Sequence, residues 1–114
     1  MKDCIFCKIA GGEIPSKKIY EDDSILAFHD ANPQAPVHFL VIPKRHIANL
    51  MELGAEDIPL AGTLLHKAQE LASELGCAEK GARFVINCKS DGGQTVDHLH
   101  LHVLAGRQMD WPPG

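Results

Sequence analysis

Residues 98–104 read His-Leu-His-Leu-His-Val-Leu, an alternation of histidine with apolar residues that is typical of an extended strand. Successive side chains of a strand point to opposite faces, so His98, His100 and His102 would share one face and the apolar residues the other. Residues two apart lie ~6.8 Å apart along a strand, which lets neighbouring imidazole rings contact each other. The segment therefore predicts a strand with a buried apolar face and a row of imidazoles opposite it.

Three interpretations fit such a row: a partly exposed polar face, a three-histidine metal site, or a nucleophile for phosphorus with two tuning neighbours. The segment in front of the row bears on the choice, because it contains Gly92 and Gly93 followed by Gln94 and Thr95. Glycines let backbone N–H groups converge on an anion, and the amide and hydroxyl add donors. Two glycines alone are more typical of a hairpin turn. In front of the histidines, they predict a phosphate site at Gly93, Gln94 and Thr95.

Length and charge limit the class of protein. A chain of 114 residues and 12.4 kDa predicts a single domain over residues 1–114. Eleven Lys+Arg against fifteen Asp+Glu give a net charge of −4, which argues against nucleic-acid or anionic-membrane partners. No apolar run approaches the ~20 residues that span a bilayer, and the first residues are unlike a signal peptide. We therefore expect a cytoplasmic protein, whose cysteines are thiols or metal ligands: Cys4, Cys7, Cys77 and Cys88.

The remaining segments predict an α+β fold with an antiparallel sheet. A short N-terminal helix is expected over residues 4–10, and helical spacing of apolar residues predicts one long helix over 56–75 that covers one face of the sheet. A glycine-containing loop is expected over 89–95. Strands are expected over residues 19–21, 24–28, 38–42, 83–87 and 96–104.

The histidine segment resembles the signature of the histidine-triad (HIT) family, His-x-His-x-His followed by apolar residues. The resemblance covers nearly the whole chain and includes I-F-C-K-I, L-A-F-H-D, N-P-Q-A-P-V-H-F-L-V-I-P-K-R-H-I and D-G-G-Q-T-V. The W-P-P-G ending and the P-Q-A-P stretch resemble most the histidine-triad nucleotide-binding branch, which consists of homodimeric purine nucleoside phosphoramidases. The resemblance implies a HIT-like fold, a homodimer, and hydrolysis of purine nucleoside phosphoramidates with no cofactor required for the chemistry.

The resemblance also implies a role for each matching residue. His100 would attack the α-phosphorus and become a nucleotidyl-histidine, which then releases AMP or GMP. His102 would bond the phosphate, His98 would orient the nucleophile, and Asp30 would accept hydrogen bonds from both ribose hydroxyls. On composition alone, Asp30 is more typical of a turn. Further nucleotide contacts are implied for Ala31, His38, Asn87, Gly93, Gln94 and Thr95, with Ile5, Phe6 and Phe28 as candidate apolar walls for the base.

Two other functions fit these residues. One is hydrolysis of dinucleoside polyphosphates, against which the Trp111–Gly114 ending argues. The other, from a different class, is a nucleotide-binding regulatory or scaffold protein whose activity is incidental. Relatives often carry an aromatic residue at Asp97 and sometimes a histidine at Asp110, so packing and tail contacts are expected to differ here.

Cys4 and Cys7 form half of a zinc site. Alone, two cysteines on a short helix fit equally well as buried apolar side chains. Microbial members of the family complete the set with His46 and His98, which implies a structural zinc ion with two cysteine and two histidine ligands. Other members lack the cysteines and need no metal.

The homodimer is expected to use the edge strand over residues 84–87 and the long helix, because an unpaired strand edge needs cover and a two-fold interface is self-complementary. The tail over residues 106–114 contains Trp111 and two prolines. We expect it to pack across the dimer near the partner's nucleotide pocket.

Overall fold

The computed structural model describes residues 3–114, which form a five-stranded antiparallel sheet flanked by helices. In chain order the elements are α1 (Ile5–Ala10), β1 (Lys18–Glu21), β2 (Ile25–His29), β3 (Val37–Pro43), α2 (Ile58–Glu74), β4 (Arg83–Val85), α3 (Lys89–Gly92) and β5 (Leu101–Ala105). Two 3-10 turns, at Leu50–Glu52 and Ala55–Asp57, precede the long helix α2. The sheet has the strand order β1-β2-β3-β5-β4. This confirms the predicted α+β class. In residues 3–114, no helix has the length and apolarity that crossing a membrane requires.

The two faces of the sheet pack against different helices. On one face, Leu64 and Leu71 of α2 join the core formed with Phe39 of β3. On the opposite face, Phe6 and Ile9 of α1 pack on a second core. Because the central strands are covered on both sides, their residues are apolar in both orientations, as the burial of Ile25–Phe28 and Phe39–Ile42 shows.

The histidine segment departs from the expected strand over residues 96–104, because β5 begins only at Leu101. In the register with β3, Val41 faces Leu101, so continued pairing would place Leu99 opposite Pro43. Proline has no N–H to donate, and the ladder ends there. The Leu99 N–H instead donates to the Ile47 carbonyl at 2.6 Å. The alternation of faces survives: Leu99 and Leu101 lie in the core under α2.

Two neighbouring segments also differ from their predicted boundaries. The strand expected over residues 83–87 is Arg83–Val85, which pairs with β5 alone and so lies at the sheet edge. The loop expected over 89–95 begins with the single turn α3. Gly93 ends this turn with φ of 75°, a left-handed conformation that glycine adopts without the steric cost of a Cβ. Residues 87–95, which include this turn, are called the glycine segment below, and in the chain they come just before the histidines.

Candidate active site and metal group

The triad histidines (His98, His100 and His102) lie on the α1 side of the sheet, but their rings do not form a uniform row. His98 and His100 are buried and precede β5, whereas His102 is half-buried within β5. The rings of His100 and His102 are in contact, with centroids 4.8 Å apart. The His98 ring faces Cys4 and His46 instead. The structure therefore separates His100 and His102, whose rings touch and which are called the reactive pair below because they are the candidates for the reaction, from His98, whose ring faces a cysteine.

The backbone sets the protonation pattern of His100. Its Nδ1 lies 2.7 Å from the carbonyl oxygen of His98, and a carbonyl only accepts. The Nδ1 atom therefore carries the proton, which leaves the lone pair of the neutral ring on Nε2. The edge of the Phe6 ring packs against the imidazole at a centroid distance of 5.1 Å. His100 is thus held as a neutral imidazole with one defined nucleophilic nitrogen.

A second chain of hydrogen bonds sets the proton of His102. The backbone N–H of Gln34 donates to Nδ1 of His38 at 3.0 Å, so the His38 proton is on Nε2. This Nε2–H donates to Nδ1 of His102 at 3.0 Å. His102 therefore carries its own proton on Nε2, where it can donate to an anion. The His38 ring therefore faces the triad.

Burial keeps both rings of the reactive pair neutral near pH 7. It lowers the pKa of His100 below the usual 6.5, against the opposing effects of the His98 carbonyl and of Asp30. It lowers the pKa of His102 to about 4, with further contributions from the positive charges that His100 and His38 would carry. A neutral pair offers a lone pair on Nε2 of His100 and an N–H donor on Nε2 of His102.

Asp30 lies at the end of β2, next to His38. One carboxylate oxygen accepts the Asn32 N–H at 2.8 Å, and the other lies 3.4 Å from Nε2 of His38. Ala31, beside it, is exposed. Phe6 and Phe28 meet edge to face at 5.6 Å, and both are buried, while Ile5 is 46% exposed. A carboxylate and an apolar wall therefore flank the reactive pair.

The glycine segment uses some of its donors internally. Both hydrogens of the Gln94 amide are occupied, because Nε2 donates to the Ala48 and Val96 carbonyls, and Oε1 accepts the Lys89 N–H. The Gln94 side chain therefore shapes the segment in this structure, where the sequence predicted a phosphate donor. Thr95 and Gly93 are exposed and Asn87 is half-buried at the start of the segment.

The structure also assembles the four residues that the sequence named as zinc ligands. Nδ1 of His98 lies 3.3 Å from Cys4 Sγ and 3.5 Å from Cys7 Sγ, and Nδ1 of His46 lies 3.3 Å from Cys7 Sγ. All four ligand atoms lie within 4.8 Å of one another. Cys4, Cys7, His46 and His98 are called the metal group below.

The donor set of the metal group fits zinc. With Zn–S near 2.3 Å and Zn–N near 2.0 Å, neighbouring ligands of a tetrahedral ion lie ~3.3–3.8 Å apart. The three sulfur–nitrogen contacts given above fall in this range. Nε2–H of His98 donates to the Pro43 carbonyl at 2.8 Å, so Nδ1 keeps its lone pair for a metal. Such a bond behind a metal-binding histidine is typical of protein metal sites.

Comparisons with known proteins agree with this arrangement. The HIT domain family matches residues 11–109. The chain belongs to the HIT family. A HIT-like protein of Synechococcus elongatus is 55% identical over 99% of this chain and 98% of its own length. The 14 kDa zinc-binding protein of Brassica juncea is 47% identical over 98% of this chain and 100% of its own length.

Solved structures of HIT proteins have the same fold. A HIT family hydrolase from Legionella pneumophila superposes with a TM-score of 0.96 and 53% identity, covering 98% of this chain and 100% of that one. A histidine triad protein from Clostridium difficile gives a TM-score of 0.93 and 48% identity, with 96% of each chain covered. The HIT fold predicted from the sequence is therefore confirmed.

The sequence did not indicate three backbone groups of the site. They are the carbonyls of His98 and Pro43, which orient two rings, and the N–H of Gln34, which orients a third. Backbone groups are the same in every residue, so no residue type marked them. Of the residues near these groups, only Pro43 indicated a change in structure, because proline cannot continue a ladder of hydrogen bonds.

Proposed function

We propose that this protein hydrolyses purine nucleoside 5′-phosphoramidates to a nucleoside monophosphate and an amine. The observation that carries the proposal is the hydrogen bond from Nδ1–H of His100 to the His98 carbonyl, which leaves Nε2 as a nucleophile. The Legionella pneumophila relative described as a hydrolase supports hydrolysis as the reaction class. The finer substrate assignment rests on the W-P-P-G and P-Q-A-P motifs.

The reaction proceeds in two steps. Nε2 of His100 attacks the α-phosphorus, the phosphorus–nitrogen bond of the substrate breaks, and the leaving nitrogen takes a proton from solvent and departs as an amine. Water then attacks the phosphorus, the bond between phosphorus and Nε2 breaks, and a proton returns to solvent, which yields the monophosphate and restores the neutral imidazole. Nε2–H of His102 donates to the phosphoryl oxygens, on which negative charge gathers in the transition state.

The surrounding residues bind the nucleotide. The Asp30 carboxylate accepts hydrogen bonds from the ribose hydroxyls, and its contact with His38 links it to the donor chain of His102. Phe6 and Phe28 form the wall for the base, with Ile5 and Ala31 at the rim. Asn87, Gly93 and Thr95 bind the phosphate in this proposal, and Gln94 keeps their segment in shape through its own hydrogen bonds.

The test is a comparative assay on the purified protein. Adenosine 5′-phosphoramidate and a diadenosine polyphosphate are offered at equal concentration, and AMP release is followed. Faster turnover of the phosphoramidate is expected, together with a transient protein species whose mass increases by one nucleotidyl group. Faster cleavage of the polyphosphate would replace the proposal with dinucleoside polyphosphate hydrolysis. Binding of AMP without turnover of either compound would favour the nucleotide-binding regulatory role.

We further propose that the metal group binds one structural zinc ion, in line with its donor set and with the Brassica juncea relative described as zinc-binding. The ion would fix the N-terminal helix against the segment before β5. Reaction at His100 uses the lone pair of the imidazole itself, so the ion would take no part in the bond changes.

The same proposal includes the state of the molecule in solution. We propose one HIT domain over residues 1–114, which acts as a cytoplasmic homodimer. Exposed apolar side chains on α2 and β4 support the dimer: Leu65 is 55% and Phe84 43% exposed. In the tail, Trp111 is 83% exposed, and the neighbouring Asp110 carbonyl accepts a hydrogen bond from Arg83 of β4 at 2.8 Å. A partner subunit would cover these groups.

A further inference from the structure

His98 makes polar contacts through both ring nitrogens and through its backbone carbonyl. Nδ1 faces the sulfur atoms of Cys4 and Cys7 at 3.3 and 3.5 Å, and Nε2–H donates to the Pro43 carbonyl at 2.8 Å. The His98 carbonyl accepts from Nδ1–H of His100 at 2.7 Å. The His98 ring is fully buried. One residue therefore belongs to the metal group through its ring and holds the candidate nucleophile through its backbone.

The backbone around His98 lies outside the sheet, because β5 begins three residues later. The His98 N–H donates to the Val96 carbonyl at 2.8 Å in a tight turn. The next N–H, that of Leu99, belongs to the same planar peptide group as the His98 carbonyl and donates to the carbonyl of Ile47, the neighbour of His46 in the chain. The direction of the His98 carbonyl therefore depends on two residues of the metal group, on His46 through Ile47 and on His98 through its anchored ring.

We propose that binding of a metal ion by the metal group positions His100 for reaction, with His98 as the positioning residue that joins the two. The proposal rests on the proposed function and extends it, because it gives the metal a role in the rate as well as in the stability. A metal ion at Nδ1 would hold the His98 ring from one side, and the Pro43 carbonyl holds Nε2–H from the other. With its ring and its peptide group both held, His98 would keep its carbonyl directed at Nδ1–H of His100, which orients Nε2 for attack on the phosphorus.

The expected effect is on the rate of reaction more than on binding. Outer partners that orient a reactive or metal-binding group typically change activity 10–100-fold when removed, and a nucleophile misplaced by ~1 Å loses a comparable factor. Asp30 and His102 are not part of the metal group. Loss of the metal should therefore lower kcat by about 10–100-fold and change KM and the AMP dissociation constant by less than about threefold.

The test compares His46→Ala with His66→Ala in the full chain. The His46 ring packs on His98 at 5.1 Å and supplies a ligand to the metal group. His66 is an exposed histidine of α2 with 71% of its side chain accessible, so its replacement is the matched control. Zinc content, kcat, KM and AMP affinity are measured for both variants. The ring nitrogens of His100 are followed by ¹⁵N NMR, which distinguishes a single Nδ1–H form from a mixture.

His46→Ala is expected to lose zinc, to lose 10–100-fold in kcat, and to show mixed Nδ1–H and Nε2–H forms at His100, while His66→Ala matches the wild type. Removal of zinc from the wild type with a chelator should reproduce these changes, added zinc should reverse them, and a chelator should do nothing further to His46→Ala. AMP binding is also measured on the metal-free protein as a folding control, because protein that binds AMP is still folded.

Three results would overturn the inference. They are wild-type protein that takes up no zinc, metal-free protein that binds AMP and keeps the wild-type kcat, and a single Nδ1–H form at His100 that does not change on metal removal. None of these contradicts phosphoramidate hydrolysis itself. Conversely, if the wild type hydrolyses no phosphoramidate, the NMR spectrum still decides whether the metal orients His100.

Discussion

Nδ1 of His100 lies 2.7 Å from the carbonyl oxygen of His98, and this contact decides which ring nitrogen is available for reaction. In serine hydrolases a buried carboxylate orients the catalytic histidine and stabilises its charged form. A carbonyl orients the ring in the same way but carries no charge. His100 is therefore held in one orientation while burial still lowers its pKa, which suits a histidine that acts as a nucleophile and not as a base.

Replacing the nucleophile is the most direct test of the active site. His100→Asn keeps a polar side chain of smaller volume but has no nitrogen lone pair for attack, so we expect turnover to fall by about 10³-fold or more. AMP should still bind, because Asp30 and Phe6 are unchanged. His66→Asn is the matched control and should retain wild-type turnover. A His100→Asn enzyme with wild-type activity would exclude His100 as the nucleophile.

The pH dependence of kcat/KM follows from the donor chain of His102. Its Nδ1 must be unprotonated to accept from His38, and burial lowers the pKa of His102 to about 4 and that of His38 below 6.5. Protonation increases as the pH falls through each pKa, so lowered values move the loss of activity to lower pH. We expect a level profile from pH 8 to 6.5 and a decline only below that range.

Replacing Asp30 should shift the pH dependence of kcat/KM in one direction. Its carboxylate raises the pKa of His38, His100 and His102, because a nearby negative charge favours the imidazolium form. In Asp30→Asn the decline of kcat/KM at acid pH should therefore begin at a lower pH than in the wild type. A rise in KM through weaker ribose binding would not change this direction. A wild-type kcat/KM that already declines at or above pH 6.5, or a decline that begins at a higher pH in the variant, would contradict this account.

The sequence predicted the fold and the chemistry-bearing side chains because both depend on residue type. Helical spacing located α2, and the alternation of histidine and leucine separated Leu99 and Leu101 from the imidazoles. The strand boundary at Leu101 could not be predicted from the segment itself. It depends on Pro43, a residue of another strand, which ends the ladder where the two segments meet.

The limits on predicting the site have the same origin. Cys4 and Cys7 were predicted as metal ligands from their residue type and spacing, and His46 and His98 through the resemblance to the HIT family; the structure brings all four together. Gln94 was predicted from its residue type as a phosphate donor, but its donors are used by the Ala48 and Val96 carbonyls. Whether a donor is free depends on nearby backbone groups, and a sequence pattern carries no information about those.

Zinc should stabilise the folded protein. We expect close to one zinc ion per chain, and loss of it in Cys7→Ser. A ligand present at 100 times its dissociation constant stabilises by roughly 3 kcal/mol, which for a domain of this size corresponds to about 10 °C in Tm. Metal analysis and thermal unfolding measure both quantities. Cys88→Ser is the matched control, because Cys88 is outside the metal group, and equal zinc content in the two variants would contradict the assignment.

The dimer prediction rests on an apolar hollow between α2 and the end of β4. The hollow has a volume of about 100 Å³. Beside it, β4 pairs on one side only, so its outer N–H and C=O groups are available to a second copy. The hollow is lined by Leu50, Leu53, Ala61, Leu64, Leu65, Ile86, Leu99 and Leu101. We expect a sedimentation mass near twice 12.4 kDa at micromolar concentration.

Leu65→Glu should dissociate this dimer, because it would bury a charge in a self-complementary apolar surface. Thr63→Glu places the same charge on the exposed side of α2 and should leave the mass unchanged. Dissociation should also lower turnover, since Leu99 and Leu101 line the hollow and flank His100 in the chain. Water admitted at their side chains would loosen the segment that positions the nucleophile. A wild-type mass near 12 kDa, or a dimer that survives Leu65→Glu, would place the interface elsewhere or exclude it.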